Sequence, residues 1–277
     1  MNNLNTDNNN DPNQQMQFQP LSEKVKNNLQ DIYNQIKGKK VFIFDLETTG
    51  LFDTKNFYKY WDNTVFDSSR IVEIGYYYSD NFDSDLINTN KLNDKLDDIL
   101  GCVEGDAETI NQLIENTIQS HQPENDFIKN NIIHSYLRKP TDFTNISPEA
   151  ESKHGISLEL LQTAGFKFSQ ILNSDLLKKL NDAEYVISHN TIFDFSVILN
   201  ELNRFKLKNT IQHLQEIKKS KKLLCTCKAS GFMSLEKLHK SIINESPEVF
   251  HRAGDDVKTL VEIIAGRKLN LVLKTML

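Results

Sequence analysis

Apolar residues along this chain fall into short β-type runs and helix-spaced stripes. Residues 1–20 carry almost none, being an Asn/Gln-rich leader with little to bury, and read as disordered. In residues 21–37 the spacing of Val25, Leu29, Ile32 and Ile36 predicts a helix, with Ser22 as its cap and Gly38 at its end. The run Val41-Phe42-Ile43-Phe44-Asp45-Leu46-Glu47-Thr48-Thr49-Gly50 predicts a buried strand that ends near the glycine. Further strands are predicted at 71–78, 132–137, 185–188 and 223–226. Helical spacing marks residues 158–161 behind a Ser157 cap, 168–180, 191–205, 235–243 and 253–265. Strands that first follow one another and then alternate with helices imply a three-layer α/β domain with a mixed five-stranded sheet, over residues 21–277.

Between the second and third strands lies a polar insertion, residues 81–131, with helix-like pieces at 92–100 and 107–118. It changes the meaning of the overall charge. The chain has a net charge of −6, but the insertion alone holds eleven acidic and three basic residues. Residues 201–240 hold ten basic and three acidic residues, a stretch able to attract a polyanion or simply to coat a helix. No apolar run is long enough to span a membrane, and the N-terminus has no signal-peptide pattern, so the expectation is an intracellular protein, cytoplasmic or nuclear. The three cysteines form no zinc spacing; Cys225 and Cys227, two apart in an apolar run, are expected on one face of a strand. Aromatics crowd the loop 51–70 (Phe52, Phe57, Tyr58, Tyr60, Trp61, Phe66), either to pack it down or to stack on bases.

Candidate chemistry begins on the first strand. Residues two apart on a strand share a face, so Asp45 and Glu47 point together, away from Phe42, Phe44 and Leu46. Two adjacent carboxylates leaving water repel each other unless a proton or a hard cation neutralises them. His189-Asn190-Thr191-Ile192-Phe193-Asp194 stands where a strand becomes a helix, with Asn190 a suitable cap. His251-Arg252-Ala253-Gly254-Asp255-Asp256 again sets a histidine before acids that open a helix.

In order, D-x-E, H-N-x-x-F-D and H-x-A-x-x-D resemble the motifs of the DEDD exonuclease superfamily in its histidine subgroup, DEDDh. Arg70-Ile71-Val72-Glu73-Ile74-Gly75 is similar to that family's second strand, and Ile146-Ser147-Pro148-Glu149-Ala150 with His154-Gly155-Ile156 to its connector. The resemblance runs from about residue 40 to 265 and implies a ribonuclease H-like fold. It implies a 3′–5′ exonuclease that binds two Mg²⁺ or Mn²⁺ ions through Asp45, Glu47, Asp194 and Asp256, with His251 as general base. Asp256 fits rather than Asp255, because it lies five residues after the histidine. Thr48, Leu51, Asn190 and Phe193 match positions that border the terminal nucleotide. The implied substrate is a nucleic acid with a free 3′ end, expected as a single strand, whose backbone the lysines between 206 and 228 are placed to hold without reading sequence. The acidic insertion suits a polymerase or other protein partner. A second class stays open: a non-catalytic binding module that keeps the fold.

Overall fold

The computed structural model describes residues 21–56, 59–83, 132–246, 251–269 and 271–275. The leader, most of the acidic insertion with both of its expected helical pieces, Cys102, Phe57 and Tyr58 lie outside the described residues. The five expected strands form at β1 Val41–Thr48, β2 Ile71–Ser79, β3 Ile132–Leu137, β4 Tyr185–Ser188 and β5 Leu223–Cys225. A further strand, β6 Val272–Thr275, pairs with β3 and completes the sheet order β5-β4-β1-β2-β3-β6. Only β2 runs against the rest: it is antiparallel to β1 and β3, whereas β4 is parallel to β1 and β5 to β4. The carboxyl ends of β1, β4 and β5 therefore leave the sheet along one edge, where ligand sites of α/β folds gather.

Helices cover both faces, and β1 is consequently buried on each. Phe42, Phe44 and Leu46 join the larger core with Phe195, Ile198 and Leu202 of the Thr191–Arg204 helix. Val41 and Ile43 meet Val257, Leu260 and Val261 of the Ala253–Ala265 helix. Asp45 and Glu47 thus share the face that this second helix covers.

Local signals set most boundaries. Ser22, Ser147, Ser157 and Ser234 each accept a backbone N–H of the helix they precede. The helix expected at 168–180 is interrupted by a π turn, Leu172–Leu176, between Phe168–Ile171 and Leu177–Asp182. Three helices have no counterpart in the sequence reading: Pro148–His154, Lys208–Lys219 and the short Thr226–Ala229. Pro148–His154 is short and looks like a loop, although proline suits a first helical turn. Lys208–Lys219 buries only Ile211, Leu214, Ile217 and Thr210 within a polar run. The two cysteines also separate: Cys225 ends β5, while Cys227 sits in the following turn of helix, Thr226–Ala229, and both are half-buried.

A buried charge cluster braces the edge. Arg70 before β2 and Arg138 after β3 both bond the Glu201 carboxylate, at 2.7 and 2.6 Å. Asp142 accepts from both guanidiniums, and the Arg138 guanidinium lies 4.7 Å over the Phe168 ring. Three charges removed from water, with Asp142 at the exposed margin, are tolerable because each finds opposite partners.

Candidate active site

β1 brings Asp45, half-buried, and Glu47, 9 % exposed, to the sheet's carboxyl edge. The β1–β2 register shifts between Glu47 and Thr48, a bulge of the kind that turns a strand end. After β4 the chain reverses at Asn190, whose φ of 66° is left-handed, and the new helix presents a buried Asp194 in its first turn. Asn190 was expected to cap that helix with its side chain. It makes no such bond; asparagine tolerates the left-handed turn, and its amide stays exposed. The third segment turns at His251, φ 60°, and the Ala253–Ala265 helix carries Asp256 in its first turn. One ligand atom from each of Glu47, His251 and Asp256 lies within 4.8 Å of the others.

The acids feel one another. Burial, then Asp194, Asp256 and Glu47, hold the Asp45 carboxyl well above the ordinary range. Glu47 is pushed up to about 8, by burial first and then Asp256 and Glu73. Asp256 is pushed up to about 7 by burial, against the backbone N–H of His251, which favours its ionised form. Asp194 is also raised well above the usual carboxylate value, chiefly by burial. His251 moves the other way: burial and the nearby Lys153 ammonium lower it. A shared negative site without a cation holds protons in place of one.

Residues outside the motifs hold this arrangement. Glu73 faces Glu47 across the β1–β2 ladder and is 2 % exposed. Its carboxylate accepts two bonds from Arg252 at 2.9 Å, the Ala253 backbone N–H at 3.0 Å and the Ser135 hydroxyl at 2.8 Å. The clamp ties β2 to the start of the helix that bears Asp256. Gly75, opposite Asp45, lets that helix come close: a Cβ there would stand 2.2 Å from the Ala253 carbonyl oxygen. The connector secures the end of β1. The Ser147 N–H bonds the Thr49 carbonyl at 2.8 Å, and His154 Nε2 lies 3.2 Å from the Thr48 carbonyl while its Nδ1 accepts from Ile156. Lys153, exposed beside His154, pulls the Glu47 and Asp256 carboxyls back toward ionisation. Sequence reasoning missed Arg252 and Lys153. The alternation of β2 could have flagged Glu73, a lone acid in an apolar strand, but nothing in sequence spacing ties it to residue 252.

An RNase T-type exonuclease family model matches residues 100–264, more than half of the chain. The chain belongs to the RNase T exonuclease family. A search of curated proteins finds no match. The family match takes in Asp194, His251 and Asp256 and begins after β1. Asp45 and Glu47 join the other acids through the sheet. Exonuclease domains use divalent metal ions and act on nucleic acid, and the donor set here fits such ions. It consists of carboxylate oxygens and one imidazole, and Asp256 Oδ1 is buried with no hydrogen-bond partner among the described residues.

The other expected residues of this exonuclease domain divide. Thr48 is buried, its hydroxyl bonding the Gly50 carbonyl at 2.8 Å, whereas Leu51 is 79 % exposed. Phe193 stacks on Phe52 with ring centroids 5.2 Å apart, and Phe52 packs on Phe66 at 4.5 Å, so these loop aromatics hold the loop down. The basic stretch is largely elsewhere. Lys206 and Lys208 follow the far end of the 14-residue helix that begins beside Asp194. At 1.5 Å per residue that is about 20 Å away. Lys222 lies where β5 enters the sheet, its ammonium 5.4 Å over the Tyr185 ring at the start of β4. Of the lysines between 206 and 228, Lys228 is the one that follows the exit of β5. Among the described residues no helix is long and apolar enough to cross a membrane.

Proposed function

We propose that this nuclease domain is a 3′–5′ exonuclease that hydrolyses the terminal phosphodiester of single-stranded DNA or RNA, using two Mg²⁺ or Mn²⁺ ions and a histidine base. The observation that carries the reading is the meeting of Glu47, His251 and Asp256 within 4.8 Å at the edge where Asp45 and Asp194 also emerge. Asp45, Glu47, Asp194 and Asp256 hold the ions, and their raised pKa values express the cationic charge the site calls for. Ions held by these four carboxylates would supply positive charge to the phosphate and the leaving oxygen and would make water a better nucleophile. His251, kept neutral near pH 7 by its lowered pKa, accepts the proton of the attacking water. Arg252 and Glu73 fix the helix start from which His251 and Asp256 project. Thr48, Leu51, Asn190 and Phe193 border the terminal nucleotide. Residues 81–131, rich in acids, serve as the docking segment for a polymerase or other protein partner.

The test uses 5′-labelled single-stranded DNA and RNA with Mg²⁺ or Mn²⁺, with EDTA, and with Asp45→Ala. A metal-dependent ladder shortening from the 3′ end, absent in the variant, is the expected result. Binding without cleavage in either metal replaces this reading with a non-catalytic module.

A further inference from the structure

Five large apolar side chains are markedly exposed among the described residues: Leu51, Trp61, Ile192, Phe205 and Phe232. Two of them have ring neighbours away from the catalytic edge. Trp61 lies edge-on to Tyr60 at 5.3 Å, and Phe205, past the far end of the Thr191–Arg204 helix, packs on Phe168 at 5.4 Å. The other three stand on the segments that leave β1, β4 and β5, neighbours in the order β5-β4-β1. Leu51 follows β1, Ile192 opens the helix after β4, and Phe232 lies in the loop after β5. The three strands they follow are adjacent and about 4.8 Å apart, and β1 and β4 are the strands whose exits lead to Asp45, Glu47 and Asp194.

Phe232 is the most exposed of the three at 80 %, and it has no aromatic partner among the described residues. Its loop is nevertheless firmly built. The Phe232 N–H bonds the Cys227 carbonyl at 2.8 Å, and the Ser230 hydroxyl bonds the same carbonyl at 2.9 Å. His189 grips the loop from the β4 exit, with Nε2 3.0 Å from the Met233 carbonyl and Nδ1 2.9 Å from the Thr226 hydroxyl. Ser234 then caps the Leu235–Ile243 helix. Within this frame Phe232 takes a φ of 68°, unfavourable for a bulky residue. A fixed loop thus holds an aromatic ring out in water at backbone cost, one residue before the carbonyl that His189 binds. Lys228, exposed and positively charged, belongs to the same loop frame: its carbonyl accepts the Gly231 N–H at 3.2 Å.

We propose that Leu51, Ile192 and Phe232 form a base platform along this edge, with Phe232 stacking an unpaired base several nucleotides upstream of the terminal one and Lys228 meeting the backbone there. The proposal rests on the exonuclease reading, because continuity with that site and the positive charge of Lys228 identify the occupant as a single strand. A flat apolar ring takes up any base face and reads no sequence. Paired bases present no free face to it, so the platform also selects against duplex.

The test measures the affinity of full-length protein for a fluorescent octanucleotide in Mg²⁺, on an Asp45→Ala background that leaves the probe intact. Phe232→Ala is expected to weaken binding about 5- to 100-fold, the loss of one base stack. Phe232→Trp is expected to restore it, and the loss shrinks as the probe is shortened to a dinucleotide. Equal affinity of the Ala variant and its parent overturns the platform, as does an equal loss at every probe length. Cleavage by wild-type protein is read separately: absent cleavage with a length-dependent Phe232 effect removes the exonuclease reading and leaves the platform standing.

Discussion

Replacing Glu47 with Gln tests the electrostatics of the site directly. In the ion-free protein the Glu47 carboxyl has its pKa raised from 4.5 to about 8. Between these values the folded state keeps a proton that the unfolded chain releases. Stability is therefore greatest below the unfolded value and drains away as pH rises toward 8. At pH 7 the interval from 4.5 amounts to about 3 kcal/mol, at about 1.4 kcal/mol per unit, as a ceiling. The charge is shared with Asp45, Asp194 and Asp256, so a neutral glutamine is expected to recover about 1–3 kcal/mol at pH 7 and less than about 1 kcal/mol at pH 5. For a chain of this size that is a rise in Tm of about 2–10 °C in EDTA at pH 7. The assay is thermal unfolding by circular dichroism from pH 5 to 8, first in EDTA and then in Mn²⁺. Added ion is expected to stabilise the wild type more than the variant, and cleavage by the variant to fall by about 10²-fold or more. A glutamine variant that melts at or below the wild type in EDTA at pH 8, or whose advantage is the same at pH 5, refutes the reasoning.

Three further outcomes are expected. Lys153→Met removes a cation that lowers the pKa of His251, so the acid limb of the pH–rate profile should move to higher pH; an unmoved limb shows that Lys153 does not act on the base. Gly75→Ala places a methyl 2.2 Å from the Ala253 carbonyl oxygen, and the displaced helix should cost activity about tenfold or more together with a lower Tm, both measured on the purified variant. Glu201→Gln leaves Arg70 and Arg138 with only the exposed Asp142 as a shared anion and should cost about 3 kcal/mol in urea unfolding; a loss under about 1 kcal/mol makes the Glu201 charge dispensable.

The sequence alone determined five of the six strands, β6 being the exception, because side-chain alternation and caps are local. Asp45 and Glu47 do share a face opposite Phe42, Phe44 and Leu46, and the limits of Tyr185–Ser188, Leu235–Ile243 and Ala253–Ala265 are those the pattern predicts. Motif order singled out Glu47, His251 and Asp256, which lie where elements end, and such ends meet at one sheet edge. What it could not supply is distance between elements. Strand register set Glu73 opposite Glu47 and within reach of Arg252, 179 residues away in sequence. The same topology carried Lys206, Lys208 and Lys222 away from the edge where the acids gather, although their charges lie close in sequence to those of Lys228. It turned Asn190 from a cap into a left-handed corner. It also set Leu51, Ile192 and Phe232, all exposed, on the segments that follow three adjacent strands. Hydrophobic spacing reports which side of its own element a residue occupies; only pairing and packing decide which elements become neighbours, and the chemistry of this edge depends on those neighbours.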